Sequence, residues 1–452
     1  MVVLKRQLGL FQTTMYGVGM ILGAGIYVLI GEAAGVAANT VWIAFVFAAV
    51  ISALTGLSYA ELTSMYPKAA AEYVYVRKAF KNNFLAFIVG WLIIFTTIVS
   101  ASTVALGFAG YFSGFYGLPV VITAAFLIAA LSFLNFYGMR ESSWMNIVFT
   151  VIEISGLAFI IYLGFTFTNS NPPNYFENPF GINGIFAAIA LVFFAYIGFE
   201  NIVNIAEETR HPTRILPKAL LLSISIAGVI YILVSVAAIN VLNWQELGSS
   251  IAPLADVAGR ALGSSGYLML SVIALFATTN TVLIMLISGS RILYGIAEQH
   301  SLPSFFARIH ARRKTPWTAA IAVMIAGIAF VFVGDIVTVA NITVFTIVIT
   351  FALVNLSLIW LRYKEPDIER PFKVPLNIGK FPLLPFLGLA TSIAGATQFN
   401  VYVVSIGLGV IGAGAVFFVI FRKVQGGQGG SANSSTSKSQ DRDPQNKSEG
   451  KV

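Results

Sequence analysis

Residues 16–27 read YGVGMILGAGIY, an apolar stretch that carries four glycines within nine residues. Glycine is less favourable than alanine inside a helix by about 1 kcal/mol, so this stretch favours a helix that opens. At membrane depth, open backbone is tolerated only where it faces protein or a cavity. The opened amides of residues 23–26 would attract an anion, helped by the positive end of the following half-helix. The alternative is close helix packing, because Gly19 and Gly23 have the spacing of small residues at membrane helix interfaces.

The composition around this stretch is that of a chain whose solvent is mostly lipid. Of its 452 residues, 57% are hydrophobic and 10% are charged, whereas soluble domains contain about 25% charged residues. This excludes an ordinary soluble enzyme, a disordered chain and a nucleic-acid-binding domain. The chain has no cysteine and only three histidines, which suggest no metal motif. We therefore predict no enzymatic activity, no cofactor, no metal and no nucleic-acid partner.

Apolar runs long enough to cross a hydrocarbon layer of about 30 Å recur along the chain. They predict an all-α integral membrane protein with about twelve transmembrane helices and the lipid bilayer as its surroundings. The runs cover residues 10–35, 39–64, 84–112, 118–138, 142–168, 182–206, 217–241, 265–298, 316–334, 336–361, 381–399 and 401–422. We expect a transmembrane domain over residues 1–424 and a disordered cytoplasmic tail over 425–452, since the tail has almost no apolar residues.

The basic residues indicate the orientation. With the N-terminus in the cytoplasm, all of the 27 Lys and Arg residues except Arg260 fall on the cytoplasmic side of the predicted spans. Short cytoplasmic loops are enriched in Lys and Arg. The formal net charge of +8 therefore reports orientation rather than a polyanionic partner, and we expect a multi-pass protein of the cell membrane with both termini cytoplasmic.

A second interrupted span lies in the sixth run. Residues 193–201 read FFAYIGFEN, in which Gly198 is followed closely by the carboxylate of Glu200 and the amide of Asn201. Gly25 and Gly198 lie at similar depths in the first and sixth spans. Paired glycine-interrupted spans in corresponding halves of a chain are a sequence indicator of a transporter's central binding site.

These motifs, in this order and spacing, resemble those of the amino acid–polyamine–organocation (APC) superfamily of permeases, which has the LeuT-like fold. The resemblance covers nearly the whole membrane domain. It is carried by residues 23–26 (GAGI), 59–62 (YAEL), 67–69 (PKA), 72–73 (EY), 194–200 (FAYIGFE), 207–209 (EET), Pro212, Pro217, 291–294 (RILY), Ala297, 302–303 (LP) and 315–316 (TP). It implies a 5+5 inverted repeat with broken helices 1 and 6, followed by two C-terminal helices.

The resemblance also implies a binding site for the backbone of an amino acid. The substrate carboxylate would meet the amides around Gly23, and its ammonium would meet carbonyls near Ile21 and in 194–197. Phe194 aligns with an aromatic gate of the family, although ordinary packing is an equal alternative. The implied substrate-binding residues are Ile21, Gly23, Ala24, Gly25, Ile26, Phe194, Ala195, Ile197 and Gly198.

Glu153, in the fifth span, departs from the family pattern. Relatives of the cationic amino acid transporter branch are similar around this position but carry a lysine that is thought to replace a bound sodium ion. Burial disfavours a charged carboxylate, so Glu153 would attract a cation or take up a proton. We predict that Glu153 couples transport to protons, the alternative being a protonated structural residue. Glu200 is a second candidate for proton coupling, unless it only binds the opened backbone of its own span.

Two further alternatives remain at the sequence level. Thr278 and Thr279 lie about where sodium-coupled relatives place hydroxyl ligands, although Thr in a membrane helix more often bonds to its own backbone. Glu61 and Arg291 lie at the inner ends of their spans, where they could pair as a gate or simply be solvated.

Together these features favour a secondary amino acid transporter. No nucleotide-binding motif is present, so an ion gradient would drive transport. We predict alternating access, proton coupling and a preference for neutral amino acids, because few charged residues lie within the spans. The alternatives are a cationic amino acid or polyamine exchanger, a sodium-coupled symporter and, less favoured, a receptor-like protein without transport.

Overall fold

The computed structural model describes residues 5–167, 172–250, 252–332 and 336–437. Long helices dominate this part of the chain. They are α1 (Leu10–Ala37), α2 (Val41–Met65), α3 (Ala71–Phe80), α4 (Asn83–Tyr116), α5 (Val120–Tyr137), α6 (Met139–Thr166), α7 (Gly181–Tyr196), α8 (Pro212–Val241), α9 (Trp244–Ser249), α10 (Pro253–Leu262), α11 (Ser264–Glu298), α12 (Trp317–Val331), α13 (Ile336–Lys364), α14 (Leu383–Ala396) and α15 (Val401–Ser437).

Short elements connect these helices. Three of them are 3₁₀ helices, at Ala38–Thr40, at Ser304–Ala307 and at Phe199–Glu208, the last of which is called the 3₁₀ segment below. Strands β1 (Asn377–Ile378) and β2 (Phe381–Pro382) form an antiparallel hairpin before α14.

The helices confirm the predicted all-α membrane architecture. Nine helical stretches within the described residues are long and apolar enough to cross a membrane, and α12 and α14 are shorter apolar helices. Each predicted apolar run overlaps one of the long or apolar helices. Large apolar side chains such as Phe126 and Ile325 are exposed, as expected for surfaces that face lipid rather than water. The count of twelve crossings and the inverted repeat stay predictions.

Three helices lie outside the predicted spans. Helix α3 fills the connection between α2 and α4, and α9 and α10 lie between α8 and α11. Their short length and mixed polarity make them weak sequence signals. At the C-terminal end, α15 continues past the predicted domain boundary at residue 424 and is described to Ser437. Residues 438–452 lie outside the described residues, so the predicted tail stays a prediction.

Helix α1 occupies the centre of the bundle. It packs against α6, α7, α8, α9 and α11, and the 3₁₀ segment also contacts it. Around it, α2 packs along α8 and α4 packs along α11. Most of the side chains of α1 that the structure describes are therefore buried, as expected for a helix that is apolar on all sides. An interruption in this helix is therefore surrounded by other helices. This is the condition under which open backbone is tolerated at membrane depth.

Candidate functional site

Helix α1 is interrupted at Gly23. The backbone angles there, φ −42° and ψ −147°, leave the helical region, while the helix is assigned on both sides. A Cβ at Gly23 would overlap the Thr281 hydroxyl of α11, so only glycine fits without displacing that side chain. The predicted break is present, and the close packing offered as its alternative is present too. The interruption is narrower than expected, because it is confined to one residue rather than to residues 23–26.

The second interruption separates α7 from the 3₁₀ segment. Ile197 is extended, with φ −62° and ψ 133°, and Gly198 has φ 131°, a conformation that favours glycine. The Glu200 carboxylate accepts hydrogen bonds from the Gly198 amide (2.8 Å) and from the Asn201 side-chain amide (3.0 Å). Glu200 therefore binds the opened backbone of its own segment, which was one of the alternatives for this residue.

The two interruptions lie beside each other. A Cβ at Gly25 would lie 2.6 Å from the Cα atom of Ala195, and one at Gly198 would lie 2.7 Å from the Cγ atom of Met20. Backbone of α1 and α7 is thus in direct contact at the point where each helix is broken. Small residues make this approach possible, as at other membrane helix interfaces.

A tyrosine that sequence reasoning missed bridges the two broken helices. The Tyr231 hydroxyl of α8 donates to the carbonyl oxygen of Ile21 and lies 3.2 Å from that of Ala195. Its ring is buried against Tyr196, with centroids 5.2 Å apart, and against Phe45 at 5.6 Å. These two carbonyls are the ones expected to meet a substrate ammonium. In this structure a neutral hydroxyl bridges them.

A cluster of amides and hydroxyls supports the other side of α1. The Asn146 amide of α6 donates to the Asn280 side-chain oxygen of α11 (2.9 Å), and the Asn280 amide donates to the Thr150 hydroxyl (3.1 Å). Gly19 lies against all three side chains, with no room for a Cβ. Single polar residues in apolar runs were the only sequence signal for this cluster, and they do not show which of them face α1.

Glu153 lies on α6, one turn after Thr150. It is completely buried, and neither carboxyl oxygen makes a hydrogen bond within the described part of the chain. The helix that carries it packs against α1 and α8, the helices of Tyr27 and Tyr231. This carboxyl is therefore buried in the same group of helices that forms the bridge between the interruptions.

The remaining predicted substrate-binding residues lie on α1 and α7 close to the two interruptions. Ile21, Ile26, Ala195 and Ile197 are buried, and Phe194 is half-buried against the core. Ala24 contributes backbone to α1, and its side chain lies outside the described residues. The Phe194 carbonyl accepts from the Ile197 amide at 3.1 Å.

The predicted hydroxyl ligands on α11 bond to their own helix. Thr278 donates to the Ala274 carbonyl (2.8 Å) and Thr279 donates to the Leu275 carbonyl (2.7 Å). The hydroxyl that reaches the interruption of α1 belongs instead to Thr281, which packs against Gly23. Periodicity alone could not decide among neighbouring threonines whose faces differ by about 100° of helix rotation.

Buried ion pairs join distant parts of the chain at Glu208, the last residue of the 3₁₀ segment, and at Glu61 of α2. The Arg291 guanidinium of α11 donates to both carboxylate oxygens of Glu208, at 2.9 and 3.1 Å, and to the Asn135 side-chain oxygen at 2.7 Å. Glu61 of α2 pairs with Arg362 at 2.5 Å and with Arg370 at 3.1 Å. The suggested pairing of Glu61 with Arg291 is therefore wrong, because each has a different partner across the bundle.

A bundle of long apolar helices, two of them interrupted where they meet, defines a multi-pass membrane transporter. The family model for amino acid permeases matches residues 8–421. The chain belongs to this family of transport proteins, as its resemblance to APC permeases implied.

Three curated relatives show the range of proteins that the chain is similar to. It is 30% identical to the branched-chain amino acid permease BcaP of Bacillus subtilis over 85% of this chain and 86% of that protein. It is 27% identical to the methylthioribose transporter of the same organism, over 93% and 94%. It is 29% identical to the vacuolar cationic amino acid transporter 4 of Arabidopsis thaliana, over 80% of this chain and 64% of that protein.

Proposed function

We propose that this amino acid permease is a secondary active transporter of neutral amino acids that works by alternating access and is coupled to protons. The observation that carries the proposal is the meeting of the two broken helices, where Tyr231 bridges the carbonyls of Ile21 and Ala195. Interrupted helices in contact provide backbone donors and acceptors that an amino acid's carboxylate and ammonium require.

The chemistry of the substrate follows from the backbone amides and carbonyls at the two helix interruptions. A zwitterion carries one anion and one cation, and the amide side of the α1 interruption suits the carboxylate. The carbonyls of Ile21 and Ala195 suit the ammonium, which would displace the Tyr231 hydroxyl when it binds. One hydrogen-bond donor then replaces another, so the carbonyls stay satisfied throughout.

The preference for neutral substrates rests on the charges near this point. Glu200 already accepts hydrogen bonds from the Gly198 amide and from Asn201. It is therefore less suited to bind the cationic side chain of a substrate. The similarity to a branched-chain amino acid permease supports the same choice. The similarity to cationic amino acid transporters keeps a cationic amino acid or polyamine exchanger as the second candidate. So does Glu153, whose carboxyl has no hydrogen-bond partner among the described residues.

Glu153 is our candidate for coupling to protons. A buried carboxyl without a cationic partner is far more stable when protonated than when charged. Sodium coupling through Thr278 and Thr279 is the less favoured alternative, because both hydroxyls bond to carbonyls of their own helix. We also propose a cell-membrane location with both termini in the cytoplasm, on the distribution of Lys and Arg.

Uptake into proteoliposomes tests the proposal. With an inward proton gradient, we expect labelled leucine or valine to accumulate, and we expect arginine to do so much less. A sodium gradient should add nothing, and Glu153→Gln should remove the dependence on external pH. The exposed Glu369→Gln variant is the matched control and should behave like the wild type.

Three results would contradict specific parts of this proposal. Preferential arginine uptake would favour the exchanger, and uptake driven by sodium would favour a symporter of that ion. Unchanged pH dependence in Glu153→Gln would exclude this residue as the coupling carboxyl. Absence of uptake for any amino acid, with labelled substrate still bound by the folded protein, would favour a receptor-like function.

A further inference from the structure

A second buried carboxyl without a hydrogen bond among the described residues lies on α3. Glu72 is 1% exposed, and neither of its carboxyl oxygens makes a hydrogen bond to a described residue. Other buried polar atoms near it also lack partners among the described residues. They are the hydroxyls of Tyr59, Thr63 and Tyr75 and the side-chain amide nitrogen of Asn204. Most buried polar groups in proteins are hydrogen-bonded, so such a concentration needs an explanation.

The fold brings this cluster together from three elements. Tyr59 and Thr63 are one turn apart on α2, and Glu72 and Tyr75 are three residues apart on α3. Asn204 belongs to the 3₁₀ segment, where its side-chain oxygen accepts from the Ala71 amide at 3.1 Å. That bond fixes the amide nitrogen of Asn204 beside the first turn of α3.

Aromatic rings close the cluster on one side. The ring of Tyr59 lies 6.2 Å from that of Tyr75, 5.7 Å from Phe199 and 5.9 Å from Phe351. All four side chains are buried. The carboxyl of Glu72 is therefore removed from water and surrounded mainly by apolar atoms and neutral hydroxyls. A charged carboxylate is costly in such a place unless a cation accompanies it.

The charged groups on the surrounding elements do not supply that cation. On α3 itself, Arg77 donates to Gln299, and Lys78 lies over the ring of Tyr66. On α13, Arg362 pairs with Glu61, and α4 carries no charged residue between Asn83 and Phe112.

The nearest charge on the 3₁₀ segment has the same sign as Glu72. It is Glu200, which acts on Glu72 electrostatically. Burial raises the pKa of Glu72 to about 8, with the charge of Glu200 adding to the rise and the polar groups of the neighbouring Asn204 and Tyr59 opposing it.

We propose that Glu72, enclosed by Tyr59, Thr63, Tyr75 and Asn204, is a proton-binding site of this protein, separate from Glu153. In its protonated form the carboxyl donates to a neighbouring hydroxyl and accepts from the Asn204 amide. The site joins α2 and α3 to the 3₁₀ segment, which begins directly after the α7 interruption, so loss of the proton weakens that junction. Only the link between this proton and the transport cycle rests on the proposed function.

Infrared difference spectroscopy of the purified full-length protein tests the binding of the proton directly. Between pH 6 and pH 10, a protonated-carboxyl band should disappear with a midpoint near the raised pKa of about 8. This band should be missing in Glu72→Gln and present in Glu153→Gln and in the exposed control Glu369→Gln. Retention of the wild-type band in Glu72→Gln, or its absence from the wild type at pH 6, would overturn the proposal.

Stability against pH gives a second measurement with a definite sign. The folded state holds the Glu72 proton more tightly than the unfolded state, whose pKa has the ordinary value of 4.5. Stability should therefore be greatest below that value and fall as pH rises towards about 8. Relative to wild type, Glu72→Gln should lose this part of the fall in melting temperature, whereas Glu369→Gln should keep it.

A comparison of ions separates a proton from a metal cation at this site. If sodium or potassium chloride raised the melting temperature of the wild type at pH 9 but not that of Glu72→Gln, the site would bind that cation and our assignment would be wrong. The infrared result does not depend on substrate. A protein that transports no amino acid could therefore still confirm Glu72 as a proton site, and the two proposals can fail separately.

Discussion

The two broken helices and the ion-paired set around Glu208 and Glu61 are held together by different chemistry. At the interruptions, α1, α7 and α8 meet through glycines, backbone carbonyls and the neutral Tyr231 hydroxyl. At the ion pairs, Arg291 and Arg362 are almost completely buried with their carboxylate partners. The first region can exchange one hydrogen-bond donor for another, whereas the second cannot lose a partner without leaving an unpaired charge in the protein interior.

The difference in energy is large enough to assign different tasks to the two regions. A neutral hydrogen bond contributes a net 0.5–1.5 kcal/mol or so, but removing one partner of a buried ion pair costs about 3–5 kcal/mol. A ligand with one ammonium group can displace a neutral hydrogen bond, but it cannot displace a buried ion pair. The interruptions are therefore suited to reversible binding, and the ion pairs to holding helices in a defined arrangement.

The largest expected effect is on the buried ion pair of Arg291. Arg291→Ala leaves the Glu208 carboxylate buried without its guanidinium, so we expect the free energy of unfolding to fall by about 3–5 kcal/mol. Denaturation in detergent measures this. Arg260→Ala is the matched control, because its pair with Glu246 is about half exposed and should contribute less than about 1 kcal/mol. Equal losses in both variants would contradict the distinction.

The next effect concerns the close contact between the broken helices. Gly25→Ala places a methyl group against the Cα atom of Ala195, which is backbone and cannot rotate away. We expect a loss of about 1–3 kcal/mol in stability from overpacking and a clear weakening of substrate binding, measured by equilibrium binding of labelled substrate. Gly107→Ala on α4 has open space around it and should retain both. Unimpaired binding in Gly25→Ala would show that the contact is not needed.

The smallest effect is expected at the hydroxyl bridge. Tyr231→Phe frees the carbonyls of Ile21 and Ala195, so a substrate ammonium no longer has to displace a donor. We expect up to about tenfold tighter binding of an amino acid and a stability loss of about 1 kcal/mol. Tyr196→Phe removes a comparable bond, 3.1 Å to the Phe45 carbonyl, and should leave affinity unchanged. Weaker binding in Tyr231→Phe alone would mean that the hydroxyl contacts the substrate instead.

Local backbone chemistry was predictable from the sequence. The glycines of residues 16–27 and Gly198 predicted both interruptions, because a missing side chain lowers helix stability wherever it occurs. Hydropathy predicted the long helices because it, too, is a local property that depends only on neighbouring residues. Short helices such as α3 lacked this signal. Helix α3 packs against α4 and α13, and such contacts cannot be read from neighbouring residues.

Partners across the bundle were not predictable in the same way. Arg291 pairs with Glu208 across 83 residues of sequence, and Glu61 pairs with Arg362 across 301. Nothing in either segment indicates which carboxylate the guanidinium will meet. Tyr231 was missed for the same reason, because its role depends on two carbonyls in other helices. The roles of the predicted substrate residues and of Glu153 and Glu200 stay predictions.

The glycines at the centre of α1 have one more consequence. Gly19, Gly23 and Gly25 face an amide cluster, a threonine and the backbone of α7, none of which leaves space for a side chain. At these three positions, α1 can therefore offer a ligand only main-chain atoms. If the proposed site is correct, we expect a change at these glycines to affect every substrate alike, and a change of substrate preference to arise at side chains elsewhere in the bundle.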